Sequence, residues 1–204
     1  MRHSRMWPAT ALVLLGTAMA GCSQTAAPPP GPQSGSVAPS KPAAAATESN
    51  PPGDIPDNQA FVPYTPSGSA ISVKVPEGWA RSNGARSTIF ADKLNRIEVS
   101  FSPATSAPSI SSVTRVDVPA LQSSVPKFML GKVSNQHRSA GTVVVVTYQG
   151  DSEPDKVTGK VVRDAFERYI YFNKGQRVDL TLSGPTNADN VDPWRIVSDS
   201  VHWL

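Results

Sequence analysis

The cysteine of this 204-residue chain, Cys22, has the clearest sequence signature of a chemical modification. It directly follows Met19-Ala20-Gly21, and an apolar stretch over residues 6–18 comes before that, preceded by Arg2 and Arg5. This order of basic, apolar and small residues is typical of an export signal. The pattern predicts cleavage directly before Cys22 and attachment of diacylglycerol to its thiol through a thioether.

A lipidated Cys22 would hold the chain on the extracytoplasmic face of the cell membrane. Several acyl chains on one residue bury enough methylene groups for stable anchoring. The alternative, an uncleaved transmembrane anchor, fits less well, because about 13 apolar residues are fewer than the roughly 20 that span a bilayer. Since the sequence has a single cysteine, no intrachain disulfide is expected, and stability must come from an apolar core.

The charge balance does not favour nucleic-acid binding. The sequence has 19 Lys and Arg against 16 Asp and Glu, a net charge of +3. Removal of the signal peptide takes away Arg2 and Arg5, which leaves 17 basic against 16 acidic side chains. A nearly neutral domain lacks the strong positive field on which nucleic-acid binding depends. We therefore expect no nucleic-acid partner.

Residues suited to catalysis or metal binding are few and scattered. The sequence has no Gly-x-Ser-x-Gly motif, no phosphate-binding glycine loop and no Cys or His pair at metal-ligand spacing. His137 and His202 are interpreted as a strand-end residue and a packing residue. Asp151, Glu153 and Asp155 alternate in a turn but lack the glycine and the closing glutamate of an EF-hand loop. We expect no enzymatic activity, no cofactor and no metal.

Two groups of side chains are candidate binding surfaces. The first is a basic patch around a predicted hairpin, which suits anionic lipid headgroups or an acidic partner, with ordinary solubilising charge as the alternative. The second is an aromatic surface of Tyr64 and Trp79, which suits a glycan or lipid, with a role in the core as the alternative. The basic patch consists of Arg81, Arg86, Lys93 and Arg96.

The amino-acid composition divides the chain into three segments, of which the last contains both candidate surfaces. Residues 1–21 form the predicted signal peptide. Residues 22–59 are rich in Pro, Ala and Ser and are predicted to be a disordered tether, because they have too few large apolar side chains to offset the entropy of ordering. Residues 60–204, about 145 in number, have the common size of one domain.

The predicted domain contains short runs that alternate apolar and polar residues, as half-buried strands do. Ile71, Val73 and Val75 form one run. Val178, Leu180 and Leu182 form another, in which polar neighbours alternate with them, so one face of the sheet is predicted to be covered and the other wet. Hairpin turns are predicted at residues 92–95, 139–141 and 173–175.

Two helices are predicted beside this sheet. The first covers residues 118–125, with Asp117 as its N-cap and Pro119 in its first turn. The second covers residues 193–201, with Asp192 as its N-cap. Together these elements predict an α+β domain in which helices pack on an antiparallel sheet.

The domain resembles a known family. Phe61-Val62-Pro63-Tyr64, the strand into Val75-Pro76-Glu77-Gly78-Trp79, the hairpin at 92–95 and a closing helix before Val201-His202-Trp203 are similar to actinobacterial lipoproteins of the LpqN type, whose domain is PsbP-like. The resemblance implies an α/β/α sandwich on a central antiparallel sheet. It also implies a non-enzymatic domain that binds partners in the cell envelope, and it brings no catalytic residues.

These observations favour a membrane-anchored extracytoplasmic binding or adaptor domain for a cell-envelope transport or assembly complex. The alternative is a carrier of lipid or glycolipid with a pocket between sheet and helices, and a hydrolase comes third. A core without a cavity would favour the adaptor, and an apolar cavity of roughly several hundred Å³ would favour the carrier. A deep cleft with a perturbed acid or base would favour the enzyme.

Overall fold

The computed structural model describes residues 51–155 and 158–204. The predicted signal peptide, Cys22 and the predicted tether up to residue 50 lie outside them. The described residues form ten strands and two helices, and no helix among them is long and apolar enough to span a membrane. The helices are α1 (Ile110–Ser124) and α2 (Val191–Asp199). The strands are β1 (Phe61–Tyr64), β2 (Ile71–Pro76), β3 (Ala80–Asn83), β4 (Ser87–Asp92), β5 (Asn95–Pro103), β6 (Met129–Arg138), β7 (Gly141–Asp151), β8 (Arg163–Asn173), β9 (Gln176–Pro185) and β10 (His202–Trp203).

Seven antiparallel strands form the central sheet, in the order β3-β4-β5-β9-β8-β7-β6. A smaller antiparallel sheet has β2 between β1 and β10. Helix α1 packs on one face of the central sheet, while the small sheet and α2 pack on the other. The predicted α+β class, with a central antiparallel sheet between two layers, is confirmed.

The hairpin turns set the register of the central sheet. In the β8–β9 turn, Lys174 and Gly175 have φ values of 44° and 84°, and Asn173 pairs with Gln176. Positive φ at both central residues matches the twist of the flanking strands in a two-residue hairpin turn. The predicted hairpin is present, but its loop is one residue shorter than the sequence analysis placed it.

Helix α1 begins at Ile110, well before the predicted start at residue 118. Its N-cap is Ser109, whose hydroxyl accepts a hydrogen bond from the Ser112 amide, while the Ser112 hydroxyl accepts one from the Ser109 amide. This reciprocal pair satisfies two backbone donors and fixes the start of the helix. Pro119 lies inside the helix, and Asp117, the predicted N-cap, forms an ion pair with Arg177 instead.

The folded domain begins earlier than the predicted boundary at residue 60. Ile55 is 4% exposed and belongs to the core, and its amide donates to the side-chain oxygen of Asn190 at 2.8 Å. The Asn190 side chain in turn donates to Gly53 O at 3.0 Å and to Asn95 Oδ1 at 2.9 Å. Because these bonds fix residues 53–55 to two distant loops, this stretch is part of the domain and not of the tether.

Asn190 also marks the start of α2, which begins at Val191 rather than at residue 193. Its side chain makes no capping bond, since it is used to bind residues 53–55. Asp192, the predicted N-cap, lies in the first turn and forms an ion pair with Arg195 at 2.7 Å.

The two faces of the central sheet have different cores. On the face that we name the covered face, residues of β5, β8 and β9 such as Leu180 pack under the small sheet and α2. On the other, the α1 face, Val113, Val118 and Leu121 of α1 pack against β7 and β8. The apolar contacts of α1 are made with β6, β7 and β8, so the α1 face over β5 and β9 is left to polar side chains.

Candidate functional site

A groove lies on the α1 face, beside the end of α1, and its cavity has a volume of about 620 Å³. This volume is within the range of about 300 to 1,000 Å³ that is typical of ligand pockets. We name it the α1 groove. Its floor includes Tyr148, Asp164, Phe166, Arg168, Thr181 and Ser183. Its wall includes Leu121, Ser124, Val125 and Pro126.

The strand period places the floor residues together. Asp164, Phe166 and Arg168 alternate along β8 and therefore point to the same face. The antiparallel register sets Phe166 opposite Tyr148 of β7 and Ser183 of β9. One lateral row of side chains thus crosses the floor from an aromatic side to a polar side.

The aromatic side of the floor is a stacked pair of rings. Tyr148 and Phe166 are parallel, with ring centroids 4.6 Å apart. Phe128, which does not line the groove, supports Tyr148 with a tilted ring whose centroid is 5.3 Å away. Burial raises the pKa of the Tyr148 hydroxyl. Beside the apolar wall of α1, these rings give the groove a surface suited to an alkyl chain or a flat apolar group.

The wall is close to the floor because β7 has a glycine at residue 150. A Cβ atom at Gly150 would collide with Cγ1 of Val125 and would lie 3.2 Å from Pro126 O. The glycine therefore allows the end of α1 to lie directly on the sheet, which closes one end of the groove.

The polar side of the floor carries charged and hydroxyl groups. Arg96 and Glu98 of β5 form an ion pair at 2.9 Å, and Arg168 Nε donates to Thr181 Oγ1 at 2.9 Å. With Ser183 beside them, these groups offer donors and acceptors that suit a polar headgroup.

Asp164 is the buried charged residue of the groove. It is 6% exposed, and no donor among the described residues bonds its Oδ1. Its neighbours in register are Gly150 and Pro185, which have no polar side chain. Burial, and then the charge of Asp151, raise the pKa of Asp164 to about 6.

Asp151 differs from Asp164 because it has partners. Lys127 lies 2.7 Å from one of its carboxylate oxygens and Arg163 lies 3.4 Å from the other. The hydrogen bond from Lys127 is the main cause that lowers the pKa of Asp151. The pKa values of these two neighbouring carboxylates are therefore shifted in opposite directions, that of Asp151 down and that of Asp164 up.

The structure does not bring the four residues of the predicted basic patch together. Lys93 and Arg96 line the α1 groove. Arg81 pairs in register with Phe90, a residue of the covered face, and lies over the ring of Tyr64 at 5.8 Å. Arg86 precedes β4, at the end opposite to Lys93. The four residues therefore do not form the single patch that the sequence predicted, because they lie on alternate strand positions and at opposite strand ends. The binding role of each residue stays a prediction.

The two residues of the predicted aromatic surface lie on the covered face. The Tyr64 hydroxyl is 2.9 Å from Thr88 Oγ1, and its ring meets Phe90 edge-on with centroids 5.0 Å apart. Trp79 packs partly buried against the same core. Both residues therefore pack against the core, as the alternative interpretation of the sequence expected.

Sequence analysis missed Asp164, Tyr148, Phe166 and Arg168. It did separate a polar from an apolar face of β9, and the α1 groove lies on the polar face, above Thr181 and Ser183. The prediction that this face is wet is wrong there, because Thr181 and Ser183 are only 8% and 4% exposed. The signal for the missing residues was the same period of two in β8, where Asp164, Phe166 and Arg168 alternate with Ala165 and Glu167. Nothing in the sequence indicated that Asp164 is buried in the folded domain.

A scan against protein-family models finds no match for this chain, and neither does a search of curated proteins. Among solved structures, the PsbP protein of the cyanobacterium Synechocystis (CyanoP) is 15% identical, with 72% of this chain and 94% of that chain covered and a TM-score of 0.51. LpqN of Mycobacterium tuberculosis, described as involved in cell envelope biogenesis, is 14% identical, with coverages of 72% and 91% and a TM-score of 0.45.

A third structural match is a protein of Bacteroides thetaiotaomicron, which is 12% identical with a TM-score of 0.43. The match covers 66% of this chain but only 45% of that protein, so this chain spans less than half of its length. At these identities the likeness concerns the fold alone. The described domain has a PsbP-like α+β fold.

Proposed function

We propose that this chain is a membrane-anchored, extracytoplasmic and non-catalytic binding domain that holds a lipid or glycolipid in the α1 groove. The observation that carries the proposal is a cavity of about 620 Å³ with an apolar wall beside a polar floor. The sequence favoured an adaptor for an envelope complex, with a carrier as the alternative. An apolar cavity of several hundred Å³ favours the carrier over the adaptor. The α1 groove has that volume and is apolar along its wall, although its floor is polar, so the carrier takes first place.

The two sides of the groove suit the two ends of an amphiphile. An alkyl chain against Leu121, Val125 and Phe166 gains about 0.8 kcal/mol for each methylene group removed from water. A polar headgroup meets Arg96, Glu98 and Ser183, where hydroxyl and charged groups replace its bonds to water.

A titration with n-octyl glucoside below its micelle concentration tests this role. Its amide chemical-shift changes should cluster on β7, β8 and β9 around the groove. Ser124→Trp adds bulk to the wall and should weaken binding about tenfold or more, since it removes contact area of the alkyl chain. Ser123→Trp is the matched control, because Ser123 is an exposed neighbour on α1 outside the groove. Equal binding by both variants would contradict the proposal.

The anchor at Cys22 is part of the same proposal and has its own test. Lipidation would keep the groove near membrane lipids, within the reach of a tether that ends before Gly53. Intact-mass analysis of membrane-extracted protein should give a diacylglycerol adduct that Cys22→Ala abolishes. A wild-type mass without the adduct would contradict the anchor and leave the groove to be tested in solution.

An adaptor for an envelope protein complex is the second candidate, and an observation on β6 favours it. β6 is an edge strand of the central sheet, and Met129 and Leu130 on it are 53% and 41% exposed. Exposed edge strands can pair with a strand of another protein. Photocrosslinkers at Met129 and, as a control, at Ile196 of α2 should capture different partners if this edge is used.

A hydrolase shares one feature with this domain, the raised pKa of Asp164. Its neighbour Asp151 is already bound by Lys127 and Arg163, and neither His nor Cys is among the described residues that line the groove. The hydroxyls of Ser124 and Ser152, which also line the groove, donate to backbone carbonyls and not to a base. Because no described hydroxyl is paired with Asp164, we propose a non-catalytic groove.

A further inference from the structure

We propose that Asp164 is the anchoring residue of the α1 groove and binds the primary ammonium group of an amphiphilic ligand. This inference rests on the proposed ligand-binding role of the groove and names the chemistry of the ligand's head. Three observations carry it: the missing hydrogen-bond partner of Asp164, the charges around it, and the aromatic rings next to it.

The first observation is that Asp164 lies in the cavity with an unused acceptor. It lines the α1 groove, is 6% exposed, and its Oδ1 receives no hydrogen bond from the described residues. The backbone positions on either side belong to Gly150 and Pro185, so no neighbouring side chain supplies a donor. A buried polar group without a partner is costly, and a ligand donor in the cavity would remove that cost.

The second observation is that none of the described cations around Asp164 forms an ion pair with it. Lys127 and Arg163 both bind Asp151, and Arg168, four residues along β8, donates to Thr181. Lys93 and Lys160 also line the groove but make no ion pair with Asp164. The charge of Asp151 acts on Asp164 as a repulsion. An ionised Asp164 therefore has no ion-pair partner among residues 51–155 and 158–204. A hydroxyl donor would bond its oxygen but leave the charge, whereas an ammonium group supplies both a donor and the opposite charge.

The third observation is that an apolar surface begins next to this carboxylate. Phe166 is the next residue of β8 on the same face, about 7 Å along the strand, and its ring is stacked on Tyr148. Ring faces attract cations and also accept alkyl chains. An amine bound at Asp164 would thus extend its chain over Phe166 toward the wall at Val125.

The test compares n-octylamine with n-octanol, which has the same chain and a neutral head. The full chain with Cys22→Ser, which removes only the predicted lipidation site, is titrated at pH 7.5 and followed by amide chemical shifts. Octylamine should bind about tenfold tighter than octanol, because hydrogen bonds to charged groups are worth more than neutral ones. Dihexanoyl phosphatidylethanolamine then distinguishes a lipid headgroup from a free amine: its Asp164-dependent binding assigns the headgroup, and its failure to bind assigns the free amine.

Asp164→Asn keeps the shape and removes the charge, so it should abolish the preference for octylamine while octanol binding stays within about twofold. Glu77→Gln is the matched control, since Glu77 is an exposed carboxylate outside the groove, and the preference should persist there. Equal affinity of the two ligands in the wild type, or a preference that survives Asp164→Asn, overturns the inference and leaves the proposed function intact. If neither ligand nor octyl glucoside binds, both fall.

A second measurement needs no variant of Asp164 and remains decisive if the Asn protein misfolds. The side-chain carboxyl carbon of Asp164 is titrated by ¹³C NMR with and without octylamine. A bound ammonium stabilises the ionised form, so the titration midpoint should fall by about one pH unit for every tenfold by which octylamine binds ionised Asp164 more tightly than protonated Asp164. A midpoint that does not move at saturating octylamine overturns the inference.

Discussion

The same strands build both faces of the central sheet, but one face is packed with apolar side chains and the other carries a polar groove. Along β9, Leu180 is fully buried on the covered face, while its neighbour Thr181 lies on the floor of the α1 groove and accepts a hydrogen bond from Arg168. The apolar cluster of the covered face extends from β4 to β7, and the apolar cluster of the α1 face is confined to the strands beneath the helix. Stability and binding are therefore assigned to alternate positions of one sheet.

The difference follows from the size of the layers. Seven strands spaced about 4.8 Å apart make a sheet roughly 29 Å wide. A single helix is about 10 Å wide, so α1 covers only part of its face. On the other face, the small sheet and α2 together are wide enough to cover the core. The part of the α1 face that the helix does not cover is polar. The groove lies where the helix ends and this polar part of the sheet begins.

The largest expected effect separates the two faces at adjacent residues. Leu180→Ala should lower the free energy of unfolding by about 2 to 5 kcal/mol, because it leaves a cavity in a fully buried core. Thr181→Ala should cost about 1 kcal/mol, since it removes one hydrogen bond at the groove floor. Chemical denaturation measures both. Similar losses at the two positions would mean that the faces are not divided as described.

Gly150→Ala should lower the free energy of unfolding by about 1 to 3 kcal/mol, because the added Cβ pushes Val125 off the sheet. It should also weaken octyl glucoside binding by moving the wall of the groove. Adding Val125→Ala removes the colliding atom, so the double variant should lose less stability than the two single losses combined. Strict additivity would show that the contact does not set the wall.

The pH dependence of stability probes Asp164. Its pKa of about 6 in the folded state exceeds the value of about 3.9 in an unfolded chain. The folded state therefore holds the proton more tightly, and wild-type stability falls relative to Asp164→Asn as pH rises from 4 to 6. The gap should approach about 3 kcal/mol at pH 7 and shrink to under about 1 kcal/mol at pH 4. A constant gap at all pH values would contradict the burial of this carboxyl.

The smallest expected effects on stability come from two residues of the predicted basic patch, which should differ in ligand binding. Arg86→Glu and Arg96→Glu should each change the free energy of unfolding by less than about 1 kcal/mol, because both side chains are exposed. Arg96 lines the groove and pairs with Glu98, so Arg96→Glu should weaken octyl glucoside binding, whereas Arg86→Glu should leave it unchanged. A loss of the same size in both variants would restore a single patch.

Much of the fold was predictable because it depends on local sequence. The period of two in β2 and β9 and the turn residues at 174–175 specify strands and hairpins without tertiary information. The start of α1 was missed because Asp117 and Pro119 resemble a helix start, although the Ser109–Ser112 pair provides the actual cap. Ile55 was assigned to the tether because the bonds that fix it come from Asn190, far along the chain.

The candidate site was predictable only in part, because it also depends on contacts between residues far apart in the sequence. The polar side of β9 appears in the alternation of Thr181 and Ser183 with leucines, so the face was identified, although both residues are buried. The position of Asp164 beside Gly150 and the contact of Gly150 with Val125 both depend on long-range packing. The basic residues failed as one patch because sequence proximity does not specify the face of a strand.

Intermolecular NOEs between octyl glucoside and the protein test the central claim most directly. If the α1 face is the binding face, protons of the alkyl chain should give NOEs to Leu121, Val125 and Phe166 and none to Ile71 or Val197 of the covered core. NOEs confined to the covered core, or saturable binding without any NOE to the α1 groove, would contradict it.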